Sequence, residues 1–162
     1  MGAGKSQIGK ELAFSLTYPF IDLDKSIEAV VDSSITSYFS EHGENAFRNI
    51  EKKLLVEITN KQEKFVMACG GGTPCFGDNI EFMKAKGKVI WLNPDPSILC
   101  KRLVIGKQER PLIADLNEAQ LADYIAEKMK ERRPFYEKAD FVFSDEQAAL
   151  SLILNCLGHG KN

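Results

Sequence analysis

The chain opens on Met1-Gly2-Ala3-Gly4-Lys5-Ser6-Gln7-Ile8-Gly9, and its Gly-x-Gly-Lys-Ser core is the second half of a phosphate-binding loop, G-x-x-x-x-G-K-[ST]. Gly2 and Gly4 allow backbone conformations, and an approach to phosphate oxygens, that a side chain would block. Their N–H groups and those opening the next helix form an anion nest, reinforced by the helix dipole. Lys5 then reaches the β- and γ-phosphates, and the Ser6 hydroxyl ligates Mg²⁺. The bland alternative is a glycine-rich turn, but Ile8, Leu12 and Leu16 recur every four residues and predict the helix such a loop requires. The loop's leading glycine and the strand that feeds it are absent from this sequence. A buried strand plus loop residues, roughly ten residues in all, is expected ahead of Met1. Without it the neighbouring strands, Phe65–Cys69 and Lys88–Leu92, should carry unpaired backbone groups.

A length of 162 residues fits a single domain, 1–162, with a proper core. The formal net charge of −2 and pI near 5.8 exclude a nucleic-acid binder that relies on broad phosphate attraction. Cys69, Cys75, Cys100 and Cys156 lack zinc-type spacing and read as buried thiols in a reducing compartment, the cytoplasm. No apolar run approaches the length of a membrane span.

Strand-like segments at Tyr18–Asp24, Phe65–Cys69, Lys88–Leu92 and Phe141–Phe143 alternate with helical ones, among them residues 26–40, Phe47–Ile58, Asn117–Met129 and Glu146–Leu157. That alternation predicts an α/β fold, a mainly parallel sheet flanked by helices. Asp78 is expected to cap a short helix, and Pro134 to end or kink a long one. Ligands in such folds collect at the carboxyl ends of strands, where the phosphate loop, Asp22/Asp24 and Gly70-Gly71-Gly72 all fall.

Asp22 and Asp24, two apart at a strand end, should project from one face. Beside a nucleotide, one carboxylate can serve Mg²⁺ and the other can take a substrate hydroxyl proton; Asp24 could equally cap the following helix. Three glycines after a buried strand suggest close backbone approach to a ligand. Arg48, with Glu44 and Glu51 one turn away on either side, has a helix-surface ion pair as its simplest reading. Arg132 lies near a helix C-terminus, and Arg110 in a stretch without periodicity. An anionic substrate and a transferring phosphoryl group would need such guanidinium forks. His42 and His159 receive no role, and Trp91 reads as core.

Taken together, Gly2-Ala3-Gly4-Lys5-Ser6, Phe20-Ile21-Asp22-Leu23-Asp24, Gly43-Glu44-x-x-Phe47-Arg48-x-x-Glu51, Gly70-Gly71-Gly72, Arg110-Pro111-Leu112 and Arg132-x-Pro134-x-Tyr136 resemble the shikimate kinase family. The resemblance implies a nucleoside monophosphate kinase-like fold with a substrate-binding region at about 24–58 and a lid at about 105–116. It implies MgATP-dependent phosphorylation of the 3-hydroxyl of shikimate in aromatic amino-acid biosynthesis. Gly2, Ala3, Gly4, Lys5 and Ser6 match the ATP cradle, with Arg102 against adenine, and Ser6 and Asp22 match the Mg²⁺ site. Asp24 matches the candidate base that holds the substrate hydroxyls, and Arg48 and Arg132 the carboxylate grip. Gly70, Gly71 and Gly72 match the loop against the substrate ring, and Arg110 the lid arginine over the transferred phosphate; Lys5, Asp24 and Arg110 thus form the catalytic set. The expected partners are ATP and shikimate, acting on a monomer without nucleic acid or membrane. A gluconate-type kinase and a nucleotide-binding module without turnover are the alternatives.

Overall fold

The computed structural model describes residues 2–105, 113–144 and 146–159. Helix α1 (Lys5–Leu16) follows the phosphate loop, strand β1 (Phe20–Asp22) leads directly into α2 (Leu23–Val31), and α3 (Ile35–Lys61) comes next. Then follow β2 (Val66–Ala68), a 3₁₀ turn at Thr73–Cys75, α4 (Asn79–Lys86), β3 (Ile90–Leu92) and α5 (Pro96–Ile105). Helix α6 (Glu118–Tyr136), strand β4 (Phe141–Phe143) and α7 (Glu146–Cys156) complete the order.

The strands and helices form where their patterns predict, with instructive differences at the ends. Strand β1 stops at Asp22, whose carboxylate accepts from the Lys25 N–H at 3.4 Å and so caps α2. Asp24 therefore lies inside the first turn of α2 and is not a cap; the alternation of a strand does not reach it. Asp78 occupies the N-cap position of α4 but makes no side-chain cap, because its carboxylate is taken by the Lys52 ammonium. In α3 the break sits at Gly43, whose φ of 79° and ψ of 173° suit glycine alone. Asn117 and Gln120 close a reciprocal capping box on α6, each side-chain oxygen accepting a 2.9 Å bond from the other's backbone N–H. Pro134 lies inside the last turn of α6 without ending it. The helix runs on to Tyr136, which places that ring one turn after Arg132 on the same face.

The pairing is parallel throughout but divided. Strand β1 pairs with β2 in the register Phe20–Val66, Ile21–Met67, Asp22–Ala68. Strand β3 pairs with β4 as Ile90–Phe141, Trp91–Val142, Leu92–Phe143. Among the described residues these are two separate two-stranded sheets. The core is divided likewise. One apolar cluster joins Ile8, Leu12 and Leu16 to Ala149 and Ile153, a second joins Leu23 and Ile27 to Phe47, Leu54 and Leu55. A third gathers Leu99, Leu103, Ile113, Leu121 and Ile125.

Between the half-sheets lies a cavity of about 560 Å³, lined on one side by Val66, Met67 and Ala68 and on the other by Ile90, Trp91 and Leu92. Among the described residues, neither β2 nor β3 pairs with a further strand on the side of the cavity. An unpaired edge is a template for one more strand. Joining an extended apolar strand to the amino end should fill the slot. A buried Val or Ile contributes about 1.5–3 kcal/mol, so a rise in Tm of about 5 °C or more is expected for a domain of this size. Amide exchange of residues 66–68 and 90–92 should slow in parallel; unchanged melting and exchange would show that the slot does not accept a strand.

Candidate active site

At the phosphate end, Gly2 and Gly4 both adopt left-handed backbone conformations, with φ of 71° and 75°. Gly4 is the N-cap of α1, and no side chain caps the helix nor does any acid sit in its first turn. The opening amides therefore face a hollow of about 380 Å³ lined by residues 2–7 and Arg102. The Arg102 guanidinium donates to the Gly2 carbonyl at 3.2 Å and so closes one wall. The Ser6 hydroxyl donates to the Asp22 carboxylate at 3.0 Å. A hydroxyl and a carboxylate in contact, both oxygen donors at the phosphate hollow, suit a hard cation such as Mg²⁺.

The substrate end is built on the glycine triplet. A Cβ on Gly70 would lie 3.2 Å from Asp24 Oδ1; one on Gly71 would lie 2.7 Å from Arg132 Nη1. One on Gly72 would overlap the Arg48 guanidinium outright. Consecutive α-carbons are about 3.8 Å apart, so a carboxylate from α2 and guanidinium groups from α3 and α6 converge on one short stretch of backbone. Gly71 and Gly72 thus each make room for a guanidinium, and Gly70 for the Asp24 and Glu51 carboxylates and the Thr73 hydroxyl.

Arg48 is not a surface ion pair. Its Nη1 donates to Glu51 Oε2 at 2.7 Å, with Glu51 1% exposed, and its Nε reaches the exposed Glu44 at 3.4 Å. The other Glu51 oxygen accepts from Thr73 Oγ1 at 2.7 Å, locking the end of the glycine loop to α3. Asn79 completes the loop's support by donating to the Thr73 carbonyl at 2.8 Å. Glu51, Thr73 and Asn79 are buried contributors that sequence reasoning did not single out for the site; the signal available was Glu51's place one turn after Arg48.

Asp24 is half-buried. Burial raises its pKa above the ordinary 3.8, the Asp22 and Glu51 charges push it further, and the Lys5 ammonium partly opposes them. Lys5 thereby links the phosphate end to the carboxylate. Cys69 is the extreme case, its thiol pushed up to about 12 by burial and by Glu51 and Asp24, which leaves it inert. Cys75 is half-buried and also raised, whereas Cys156 is exposed, contrary to the expectation of four buried thiols. Trp91 is only half-buried and stacks on Tyr136 with centroids 5.4 Å apart. His42 packs on Tyr38, and His159 contacts the Leu157 carbonyl. Arg110 and most of the expected lid lie outside the described residues.

A raised carboxylate pKa means that ionising Asp24 destabilises the fold. Below pH 3.8 the unfolded chain is protonated too and no penalty exists. The penalty grows as pH rises toward the folded-state value, then stays constant. Asp24→Asn should therefore melt higher than the parent at pH 7, with the difference vanishing near pH 3.5. Calorimetry across that range checks it, and a lower melting point at pH 7 would refute the electrostatic account.

A family model for shikimate kinase matches residues 1–156. The shikimate kinase of Bacteroides thetaiotaomicron is 42% identical over 147 residues, covering 91% of this chain and 83% of that relative. That of Azobacteroides pseudotrichonymphae is 40% identical over 157 residues, covering 97% and 92%. The crystal structure of the Bacteroides thetaiotaomicron shikimate kinase aligns with a TM-score of 0.88 at 37% identity, covering 98% of this chain and 94% of that one. The Acinetobacter baumannii shikimate kinase, solved in complex with shikimate, aligns with a TM-score of 0.82 at 32% identity, covering 97% and 86%. A phosphate-loop α/β fold carrying this arrangement of charges on its glycine loop, matched over nearly its whole length, belongs to the shikimate kinase family.

Proposed function

We propose that this chain transfers the γ-phosphoryl group of ATP to the 3-hydroxyl of shikimate, giving shikimate 3-phosphate and ADP for aromatic amino-acid biosynthesis. The observation that carries the reading is the convergence of Asp24, Arg132 and Arg48 on Gly70, Gly71 and Gly72. Two guanidinium forks suit one carboxylate, and a carboxylate base beside them suits a ring hydroxyl. Family membership and the shikimate held by the Acinetobacter relative point the same way.

In this reading the amides of residues 2–6 hold the β-phosphate, Lys5 bridges to the γ-phosphate, and Arg102 flanks the adenine. Ser6 and Asp22 would hold Mg²⁺, which when bound neutralises charge on the β- and γ-phosphates. Arg48 and Arg132 orient shikimate by its carboxylate. Asp24 accepts the hydroxyl proton as the new oxygen–phosphorus bond forms and the bond to ADP breaks. Arg110, in the stretch 105–116, is assigned to the group in transfer. The free thiols fit a reducing compartment such as the cytoplasm.

A coupled ADP-release assay with shikimate, gluconate and quinate tests the reading. Turnover should require shikimate, and Asp24→Asn should lower it about 10²–10⁴-fold while ATP binding persists. Release that prefers gluconate, or none with any acceptor, would overturn it. Arg132→Lys should raise the KM for shikimate far more than that for ATP, since an ammonium cannot copy a planar fork; equal changes in both would remove Arg132 from the carboxylate grip.

A further inference from the structure

Tyr136 ends α6 and, within the Arg132-x-Pro134-x-Tyr136 pattern, carries a hydroxyl that takes no part in the reaction above. Its phenol donates to the Gly71 carbonyl at 2.6 Å across 65 positions of sequence. Arg132 stands one helical turn earlier on α6, and its charge acts on the phenol, lowering its pKa against the effect of burial. A Cβ on Gly71 would meet Arg132 Nη1 at 2.7 Å and the Tyr136 hydroxyl at 3.0 Å, so all three groups share one point of contact. The ring beyond the hydroxyl rests on Trp91 of β3. We propose that Tyr136 is a positioning residue whose hydroxyl, by holding the Gly71 carbonyl beside the Arg132 guanidinium, sets the angle at which that guanidinium meets the substrate carboxylate.

The chemistry favours this over simple packing. Arg132 carries five N–H donors in a fixed plane, and a planar fork binds a carboxylate well only when its orientation is held. Gly71 and the Tyr136 hydroxyl, packed together at one side of the guanidinium, leave its opposite edge free and limit its rotation. Donation to the Gly71 carbonyl ties the phenol to the loop, so that this wall does not shift. Burial raises the phenol's pKa and the Arg132 charge only partly offsets this, so the hydroxyl remains a proton donor throughout the neutral range. The Gly71 carbonyl also faces the Cys75 thiol at 3.7 Å, a weak contact that cannot replace a phenol.

The proposal rests on the carboxylate-binding role of Arg132, and the experiment separates the two. Tyr136→Phe keeps the ring on Trp91 and removes only the oxygen. Calorimetric titration should show shikimate affinity falling about two- to twelvefold, the range for a neutral hydrogen bond. The affinity for a non-hydrolysable ATP analogue should change less than twofold, as should kcat. Gly71→Ala should reproduce the selective loss by wedging the same contact apart. In an Arg132→Ala background, Tyr136→Phe should cost nothing further, because the group it positions is gone. Unchanged shikimate affinity in Tyr136→Phe, equal losses for both ligands, or full multiplication of the two substitutions would each overturn the positioning role. A parent chain that binds gluconate in place of shikimate would overturn the substrate reading alone; the same cycle run with gluconate would still decide the role of Tyr136.

Discussion

Three charged side chains lie against three consecutive α-carbons, and the rest of the substrate end follows from that contact. Gly70, Gly71 and Gly72 lack the atom that would collide with Asp24, Arg132 and Arg48. The loop can hold this shape only if β2 stops at Ala68 and the 3₁₀ turn at Thr73–Cys75 carries the chain away at once. Helices α2, α3 and α6 come from different parts of the sequence, yet each must deliver one side chain to the same few ångströms. Their apolar faces bring them there: Leu23 and Ile27 pack α2 onto Phe47 and Leu54 of α3, while Leu121 and Ile125 seat α6 on α5.

Charge is gathered here at a cost to stability, and its arrangement offsets part of that cost. Glu51 is buried and ionic, a state that is expensive unless paired and hydrogen-bonded on its remaining oxygens. Arg48 supplies the pair and Thr73 the hydrogen bond, so both carboxylate oxygens are occupied. Asp24 has no such partner among the described residues; it is pressed by burial, Asp22 and Glu51, and the Lys5 ammonium acts against them. A group destabilised in this way is a stronger base than an ordinary aspartate. The unsatisfied charge is thus located where a hydroxyl proton would be received, and the satisfied one where a guanidinium must be held still.

The order of elements was legible because each carries a short, strong signal. Phe141–Phe143 pairs over the expected span, and Asn117 and Gln120 form the capping box their spacing announces. What was not legible depended on partners distant in sequence. Asp78 reads as a cap until Lys52, on another helix, takes its carboxylate. Arg48 reads as a surface charge because Glu51 looks like a surface residue; only the fold of α3 against Thr73 buries it. Asp24 changes character because β1 ends two residues early, so a helix and not a strand aims its side chain. Tyr136 carries no local signal at all, since its hydroxyl serves a carbonyl 65 positions away.

The divided sheet gives these long-range bonds a second role. Asp24 and Arg48 stand on helices of the cluster that backs β1 and β2, whereas Arg132 and Tyr136 stand on the helix packed with α5. Across the cavity between β2 and β3, no strand pairing joins the two among the described residues. The Tyr136–Gly71 bond spans that divide, from α6 to the loop after β2, while the Trp91 ring anchors Tyr136 to β3. A substrate carboxylate held between Arg48 and Arg132 would span it as well, since the two guanidinium groups belong to opposite sides. The cluster of α1 and α7 already packs against both half-sheets, through Val66 on one and Ile90, Leu92 and Phe143 on the other. A ligand bound only by the assembled state would add to that cohesion in proportion to its affinity, and it would do so at the glycine loop, where Tyr136 already bridges the divide.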